Sequence, residues 1–345
     1  MTHTLRAEPE SKGFAKPSRR EMIGAGAAIL LGGGAAAVFR HASQSESGQR
    51  AEVFIGPAPD YGADLAAVVA DGLRTLGVTR DAIRGKRILL KPNLVETAAG
   101  EPHINTHPAV ILAAAEAFRR LDAAEVFVAE GQGHRRDTRA VLDESRLGPA
   151  MADAKLRFID LNCDDVERVA NRGAWSDLGP LYLPKSMLSA DWVVSVPKLK
   201  THHWTGVTGS MKNLFGVMPG IVYGWPKNVL HYAGIAESIL DINATVRPRL
   251  AIVDAIVGME GDGPIMGTPK PVGCIVMGEK FSAVDATCTR LMDLNPYGVK
   301  YLSLASGRLG PIHERNIAQR GERIDRYRSS FTILDVPHLR AVRNT

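Results

Sequence analysis

Apolar segments alternate with amphipathic segments along residues 51–345. Short continuous apolar runs are typical of strands buried on both faces, and they predict strands over 86–90, 125–129, 156–161, 192–196, 250–257, 273–277 and 331–334. Apolar residues at helical spacing predict helices over 65–76, 108–121, 233–246 and 283–292. The helix at Pro108 has Thr106 as its predicted cap. This alternation indicates an α/β fold with a mainly parallel sheet and helices on both faces, a three-layer αβα arrangement.

Residues 51–345 exceed the common size of a single domain, which is about 100–150 residues. The length therefore leaves open one large α/β domain or two intimately joined lobes. Residues 43–50 are rich in Ser, Gln and Glu and are predicted to form a linker before this body.

Polar loops follow several of the predicted strands, and ligands bind beyond the carboxyl ends of strands in such sheets. Lys91 and Asn93 follow the first of these strands, and a glycine-rich loop over 130–134 follows the second. The strand ending at Val196 leads into a segment with two lysines and two histidines, and the strand at 250–257 leads to a carboxylate-rich loop. We expect these four loops to meet at one rim of the sheet.

The segment over 196–220 is the longest polar cluster in the body. Lys198 and Lys200 alternate, so an extended backbone would direct both ammonium groups to one side. The glycine-rich stretch after them leads into a predicted helix, whose exposed N–H groups and dipole favour negative charge. The predicted anion-binding residues are Lys91, Asn93, Lys198, Lys200, Thr208, Ser210, Lys212 and Asn213. A solvated basic loop is the alternative interpretation.

Imidazoles and carboxylates near these loops are candidates for proton transfer or metal binding. His202, His231, Asp254 and Glu260 are the predicted catalytic residues, because such groups act as acids, bases or ligands. A divalent metal is a second interpretation, with a candidate ligand set of His202, His203, His231, Asp254, Glu260, Asp262 and Asp285. Each of these side chains also has a purely structural alternative, such as a cap or a buried hydrogen bond.

The three cysteines, Cys163, Cys274 and Cys288, are scattered and form no Cys-x-x-Cys motif. The sequence therefore predicts no iron–sulfur cluster and no cysteine-based zinc site. Buried thiols are favoured over one disulfide, although both remain open. Ser210 is not in a Gly-x-Ser-x-Gly elbow, so a serine nucleophile has little support.

A pair of arginines, Arg19 and Arg20, precedes an apolar run over 25–39. This layout is typical of a secretory signal, and the run is shorter than the about 20 residues of a membrane-spanning helix. The arginine pair resembles twin-arginine signals, which implies a signal peptide over 1–42, the twin-arginine translocase as a partner and a periplasmic location. Because the candidate cleavage sites are poor, a retained N-terminal membrane tether is the alternative.

Most of the net charge of +5 belongs to the N-terminal segment. The first fifty residues hold 7 basic and 4 acidic side chains, which leaves 35 against 33 in the body. The body also lacks a basic block with interleaved aromatic residues, so the sequence predicts no nucleic-acid partner.

Several motifs occur in order over about residues 51–310: Lys91-Pro92-Asn93, Thr106-His107-Pro108, Pro197 to His202, Gly209 to Gly216, His231, Asp254 to Gly261, Gly263-Pro264 and Val284-Asp285-Ala286. Together, and in this order, they resemble the domain-of-unknown-function 362 family. Many members of that family carry a ferredoxin-like module with clustered cysteines, which the present sequence lacks. The resemblance implies which residues matter but implies no particular reaction.

Three functions are compatible with these patterns. The first is an enzyme that acts on a small anionic substrate at a pocket lined by lysine, histidine and carboxylate groups. The second is a non-catalytic periplasmic protein that binds a cofactor or a metal. The third is a structural or partner protein, for which the lysines would be spread over the solvent-exposed surface.

Overall fold

The computed structural model describes residues 46, 48–133 and 136–344, and within that part of the chain ten strands form one sheet. The strands of the chain are β1 Ala51–Pro57, β2 Arg87–Pro92, β3 Glu125–Glu130, β4 Phe158–Asp160, β5 Val166–Val169, β6 Leu181–Pro184, β7 Trp192–Val196, β8 Lys198–His202, β9 Gly206–Thr208, β10 Leu250–Glu260, β11 Thr268–Gly278 and β12 Ile317–Gly321. Strands β5 and β6 pair separately as a small antiparallel ladder.

The main sheet has the order β12-β1-β11-β10-β7-β2-β3-β4, with β8 paired to β10 and to β9. Strands β10, β7, β2, β3 and β4 are parallel to one another, and β1 is parallel to β12. Strand β11 runs antiparallel to both of its neighbours, and β9 runs antiparallel to β8. The predicted, mainly parallel sheet is therefore confirmed.

Helices cover both faces of this sheet. They are α1 Leu65–Thr75, α2 Arg80–Ile83, α3 Pro108–Arg120, α4 Thr138–Glu144, α5 Leu147–Asp153, α6 Lys185–Leu188, α7 Ser210–Asn213, α8 Gly220–Tyr223, α9 Asn228–Tyr232, α10 Ile235–Val246, α11 Phe281–Leu291 and α12 Lys300–Ala305. Short 3-10 turns occupy Leu214–Val217, Pro296–Gly298, Glu314–Asn316, Ile324–Arg326 and Pro337–Val342.

Alternate side chains of each strand pack into two different cores. In β2, Leu89 packs with α10 and α11 on one face, whereas Ile88 and Leu90 pack with α1 and α3 on the other. This separation follows from the two-residue period of a strand. The predicted three-layer αβα arrangement is confirmed, and the described residues from Glu46 onward form one compact unit.

Two local predictions were wrong. Residues 331–334 form no strand and pair only through an isolated bridge between Ile333 and Gly261, because this apolar segment is buried without joining the ladder. Thr106 does not cap α3. The ring Nδ1 of His107 instead accepts a hydrogen bond from the Ala109 N–H, and the Thr106 hydroxyl donates to the carbonyl of Val196.

The N-terminal boundary of the folded body lies earlier than residue 51. Glu46 is fully buried, and its carboxylate accepts hydrogen bonds from Ser306 Oγ at 2.6 Å and from the Ile312 N–H at 2.6 Å. At least this residue of the predicted linker therefore packs with the body. The predicted signal peptide, with Arg19 and Arg20, lies outside the described residues. Within the described part of the chain, every helix is too short or too polar to span a membrane.

Candidate anion pocket

A cavity of about 330 Å³ opens where β2, β3 and β8 end. Loops after these strands and the segment through α7, α8 and α9 supply its walls, as expected at the carboxyl edge of a parallel sheet. Its lining includes Lys91, Asn93, Glu130, His202, Thr208, Lys212, Asn213, Lys227 and His231, together with Trp204, Phe215 and Tyr232. The sequence-based expectation that the four loops share one rim is thus met only in part.

A buried ion pair forms one wall of the pocket. The ammonium of Lys91 donates to Glu130 Oε2 at 2.5 Å and to Asn213 Oδ1 at 2.9 Å. Only 1% of the Lys91 side chain and 2% of the Glu130 side chain are exposed. Burial lowers the pKa of Lys91, and the charge of Glu130 opposes this shift. A Cβ at Gly216 would collide with both partners, so the pair requires glycine at that position.

Backbone N–H groups in the same wall of the pocket also hold the Glu130 carboxylate. Its Oε2 accepts from the Leu94 N–H at 3.2 Å, and its Oε1 accepts from the Gly131 N–H at 2.9 Å. With Lys91 this gives the carboxylate three donors, so its negative charge is matched within the protein.

Lys227 is a second cation of the pocket, and sequence reasoning missed it. Its ammonium donates to the carbonyls of Gly131 at 2.6 Å and Phe215 at 3.1 Å. Burial, more than any nearby charge, lowers the pKa of Lys227 to about 7. The residue has a left-handed backbone, with φ of 67°, which is uncommon for a side chain of this kind. No pattern in the sequence around it marks such a position.

Lys212 is the third cation, and among the described lysines of the lining it is the one without a hydrogen-bond acceptor. Its ammonium lies 5.4 Å from the centre of the Phe215 ring and makes no hydrogen bond or ion pair with any described residue. Burial lowers the pKa of Lys212 to about 8, and the charge of Lys91 adds to that effect. The side chain is half-buried and lines the cavity.

Three neutral polar groups complete the floor. His202 Nδ1 accepts from the Trp204 N–H at 3.0 Å, and burial holds the pKa of His202 well below its usual range. The ring is therefore neutral and carries its proton on Nε2. Thr208 Oγ1 and Asn93 Oδ1 are buried and have no hydrogen-bond partner among the described residues. Such groups are rare in folded proteins unless a ligand or water pairs with them.

His231 lies at the edge of the pocket rather than on its floor. Its Nδ1 is 3.1 Å from the Lys227 carbonyl oxygen, and its ring contacts the edges of Trp204 and Phe215 at 5.4 and 6.1 Å between centroids. The imidazole thus orders the aromatic rim.

Lys198, Lys200 and Asp254 lie outside the lining of this pocket. Lys198 forms a fully buried ion pair with Asp254, 2.5 Å between Nζ and Oδ2, and Tyr61 accepts a second hydrogen bond from the ammonium at 2.8 Å. Lys200 donates to the carbonyls of Ile104 at 2.6 Å and Pro264 at 3.1 Å. The charges of both lysines are therefore used within the protein.

Ser210 and Glu260 also lie outside the lining. The carboxylate of Asp285 accepts from the Ser210 N–H and hydroxyl, both at 2.6 Å, and from the Met211 N–H at 3.0 Å. This carboxylate occupies the start of α7, where the sequence suggested an anion. Glu260 pairs with Lys270 at 3.4 Å and accepts from the Thr332 N–H at 2.8 Å.

The candidate metal ligands are dispersed in the same way. Among the described residues, no three His, Cys, Asp or Glu side chains are grouped so that they could hold a metal ion. The three cysteines are unpaired, with Cys274 and Cys288 buried and Cys163 exposed. All three cysteines are therefore free thiols, and none of them forms a disulfide.

Similar proteins were found by sequence and by structure. A Synechocystis protein named as thylakoid-associated is 28% identical over 232 residues, which cover 66% of this chain and 68% of that protein. Two solved structures share 13% identity: a Thermotoga maritima protein with a TM-score of 0.41, and the lactate racemase apoprotein of Thermoanaerobacterium thermosaccharolyticum with a TM-score of 0.45. This chain spans 60% and 57% of their respective lengths, and they cover 73% and 71% of it.

The family model described as domain of unknown function DUF362 matches residues 88–290, which is more than half of the chain. This range contains every residue that lines the pocket, from Lys91 to Pro264. The chain belongs to the DUF362 family.

Proposed function

We propose that the protein is an enzyme that acts on a small anionic substrate in this pocket. The observation that carries the proposal is Lys212, an ammonium that lines the cavity without a counter-charge among the described residues. Three lysines and one carboxylate line the cavity, so the lining has an excess of two positive charges when all are ionised. A bound anion would supply the missing charge and strong hydrogen-bond acceptors.

Proton transfer is the chemistry that the pocket residues suit best. Lys227 has a pKa of about 7 and Lys212 a pKa of about 8, so both amines exchange protons near neutral pH. Strongly shifted lysines in a cleft are typical of active sites. The neutral His202 ring would donate a hydrogen bond from Nε2 to the substrate, and Thr208 Oγ1 would help to position the substrate. Lys198, Lys200, Asp254 and Glu260 are not part of this proposal.

Calorimetric titration with inorganic phosphate and sulfate tests the anion site. We expect binding to the wild-type protein and a loss of about tenfold or more in affinity for Lys212→Met, since a charge-assisted hydrogen bond is removed. Lys185→Met is the matched control, because Lys185 is 57% exposed on α6 and does not line the cavity. Equal affinities for the two variants would contradict the proposal.

A non-catalytic binding protein is the second candidate, and one observation favours it. Glu130, the carboxylate in the lining, is fully hydrogen-bonded, so it is not available as a base. Incubation with a pool of small anionic metabolites separates the two functions. An enzyme consumes one compound and loses this activity in Lys227→Met, whereas a binding protein retains one compound unchanged.

We also propose that residues 1–42 direct export through the twin-arginine translocase. The paired arginines and the short apolar run support this proposal. Replacing both Arg19 and Arg20 by lysine should retain the protein in the cytoplasm, as measured by immunoblotting of periplasmic and cytoplasmic fractions. Undiminished periplasmic protein in that variant would refute the proposal. Fractionation of the wild type between soluble periplasm and membrane decides whether an N-terminal tether is kept.

A further inference from the structure

Two large aromatic side chains are exposed at the mouth of the pocket. Trp204 is 56% exposed and Tyr232 is 90% exposed, yet both line the same cavity as Lys212. Aromatic side chains of this size usually bury much of their surface, so leaving both in water has an unfavourable hydration cost. Their exposure therefore needs a functional explanation.

The position of Trp204 is fixed by the pocket itself. The backbone N–H of Trp204 donates to His202 Nδ1 at 3.0 Å, and the backbone nitrogen of Thr205 lies 3.4 Å from the same ring nitrogen. The indole ring is held edge-on against the His231 and His203 rings, at 5.4 and 5.8 Å between centroids. The ring is thus ordered by the same turn that orders the neutral histidine, as a preorganised binding surface would be.

The cavity is larger than an inorganic anion requires. Its volume of about 330 Å³ is at the lower end of the range for sites that enclose organic ligands, and a water molecule takes up about 30 Å³ of liquid. Apolar residues account for part of this space: Leu94, Val95, Phe215, Pro226 and Pro264 belong to the lining. The cavity therefore has room for an organic body beside a charged group.

We propose that the substrate is an aryl or heteroaryl phosphate, with its phosphate at Lys212 and its ring against Trp204 and Tyr232. This inference rests on the proposed anion site and adds the substrate class. The excess of two positive charges in the lining matches a phosphate monoester, which carries nearly two negative charges at neutral pH. An aromatic ring stacks on indole and phenol faces through its own π-system, which a saturated ring lacks.

Three compounds that share a phosphate group and differ in what is attached to it test this proposal: inorganic phosphate, phenyl phosphate and cyclohexyl phosphate. We expect the wild-type protein to bind phenyl phosphate about tenfold more tightly than cyclohexyl phosphate. Trp204→Ala should abolish this preference. Trp204→Phe, which keeps an aromatic face, should restore most of it. Affinities are measured by calorimetry on the full chain.

Tyr182→Ala is the matched control, because Tyr182 is an exposed aromatic residue of β6 that does not line the cavity. It should leave all three affinities unchanged. Equal binding of phenyl and cyclohexyl phosphate, or an unchanged preference in Trp204→Ala, would overturn the aromatic inference while inorganic phosphate still binds. If the wild type binds none of the three probes, the anion site itself is refuted, so the two failures are distinguishable.

Discussion

Lysine residues in this protein differ in what surrounds their charge. Lys91 and Lys198 each contact a carboxylate within 2.5 Å, Lys200 and Lys227 donate to backbone carbonyls, and Lys212 contacts an aromatic ring. Burial lowers the pKa of each. Lys212 has no acceptor among the described residues, which is why the proposal places the anion at this ammonium.

Anion affinity should depend on pH through Lys212 and Lys227. Their pKa values of about 8 and about 7 lie below the usual value for lysine, and only the protonated amines attract an anion. Affinity should therefore be highest below pH 7 and fall as pH rises through 7 to 8. Titrations with sulfate, which stays doubly charged across this range, measure the effect. In Lys212→Arg, whose guanidinium stays protonated, the decrease near pH 8 should be absent. An unchanged profile in that variant would contradict the assignment.

Gly216→Ala should separate the buried ion pair that supports the pocket. The added methyl group would collide with Glu130 Oε1 and with the ammonium of Lys91, so one of two buried charges loses its partner. We expect a decrease of about 3–5 kcal/mol in the free energy of unfolding, measured by urea denaturation. Gly133→Ala is the control, since a Cβ there meets no described atom within 4 Å. Equal stabilities of the two variants would show that the pair tolerates the methyl group.

The sequence predicted part of this site, and the missing parts have physical causes. Lys91, Asn93, Thr208, Lys212 and Asn213 line the cavity, because they lie at the end of β2 or of β9 or just after it. Lys198 and Lys200 do not, because side chains long enough to reach a pocket also reach Asp254 and backbone carbonyls inside the protein. Lys227 depends on a left-handed backbone, which no local motif indicated.

At the scale of elements, a single turn of helix carries much of the site. Helix α7 presents Lys212 and Asn213 to the pocket, but it spans only four residues and cannot be stable alone. Asp285 of α11 holds its first turn by accepting from Ser210 and Met211. Burial raises the pKa of Asp285 to about 6. The position of the anion site is therefore set from the neighbouring helix.

Asp285→Asn should weaken both stability and anion binding. An amide in place of the carboxylate leaves one of the buried donors of α7 without an acceptor, at a cost of about 1–3 kcal/mol in the free energy of unfolding. Phosphate affinity should fall because Lys212 is no longer held in place.

The matched control for that substitution is Asp241→Asn. Asp241 of α10 likewise accepts from two backbone N–H groups, those of Trp175 and Ser176, in a turn away from the pocket. It should lose similar stability and keep full phosphate affinity. A parallel decrease of affinity in both variants would mean that general destabilisation, not the position of α7, causes the effect.

The predicted and observed elements agree best where strands are buried on both faces. Strands β2, β3 and β7 each contain a continuous run of buried apolar residues, so the sequence pattern is clear. Strand β1 was missed because its apolar run is short and lies between polar Glu52 and Gly56. The segment 331–334 was wrongly predicted as a strand because burial alone produces the same apolar pattern.

The described body has one main sheet between two cores, and its N-terminal and C-terminal parts meet at one edge of that sheet. Glu46 precedes β1 and binds the segment over 306–316, which precedes and includes the 3-10 turn before β12. Strands β1 and β12 are also paired. The two ends of the body therefore stabilise each other, on the side of the sheet opposite to β4 in the strand order.

Glu46→Gln should destabilise the body without affecting the pocket. The carboxylate accepts from Ser306, Ile312, His313 and Asn316, and an amide cannot accept all four bonds. We expect a decrease of about 1–3 kcal/mol in the free energy of unfolding and unchanged phosphate affinity. Glu167→Gln, on an exposed position of β5, is the control. Equal stability of the two variants would indicate that Glu46 contributes little to the fold.

The most direct measurement of the central claim is a crystal structure of the full chain grown with phosphate. The account predicts phosphate in the cavity, with oxygen atoms within hydrogen-bond distance of Lys212 Nζ and Thr208 Oγ1. An empty cavity at saturating phosphate, with Lys212 paired to a carboxylate of the protein, would contradict it.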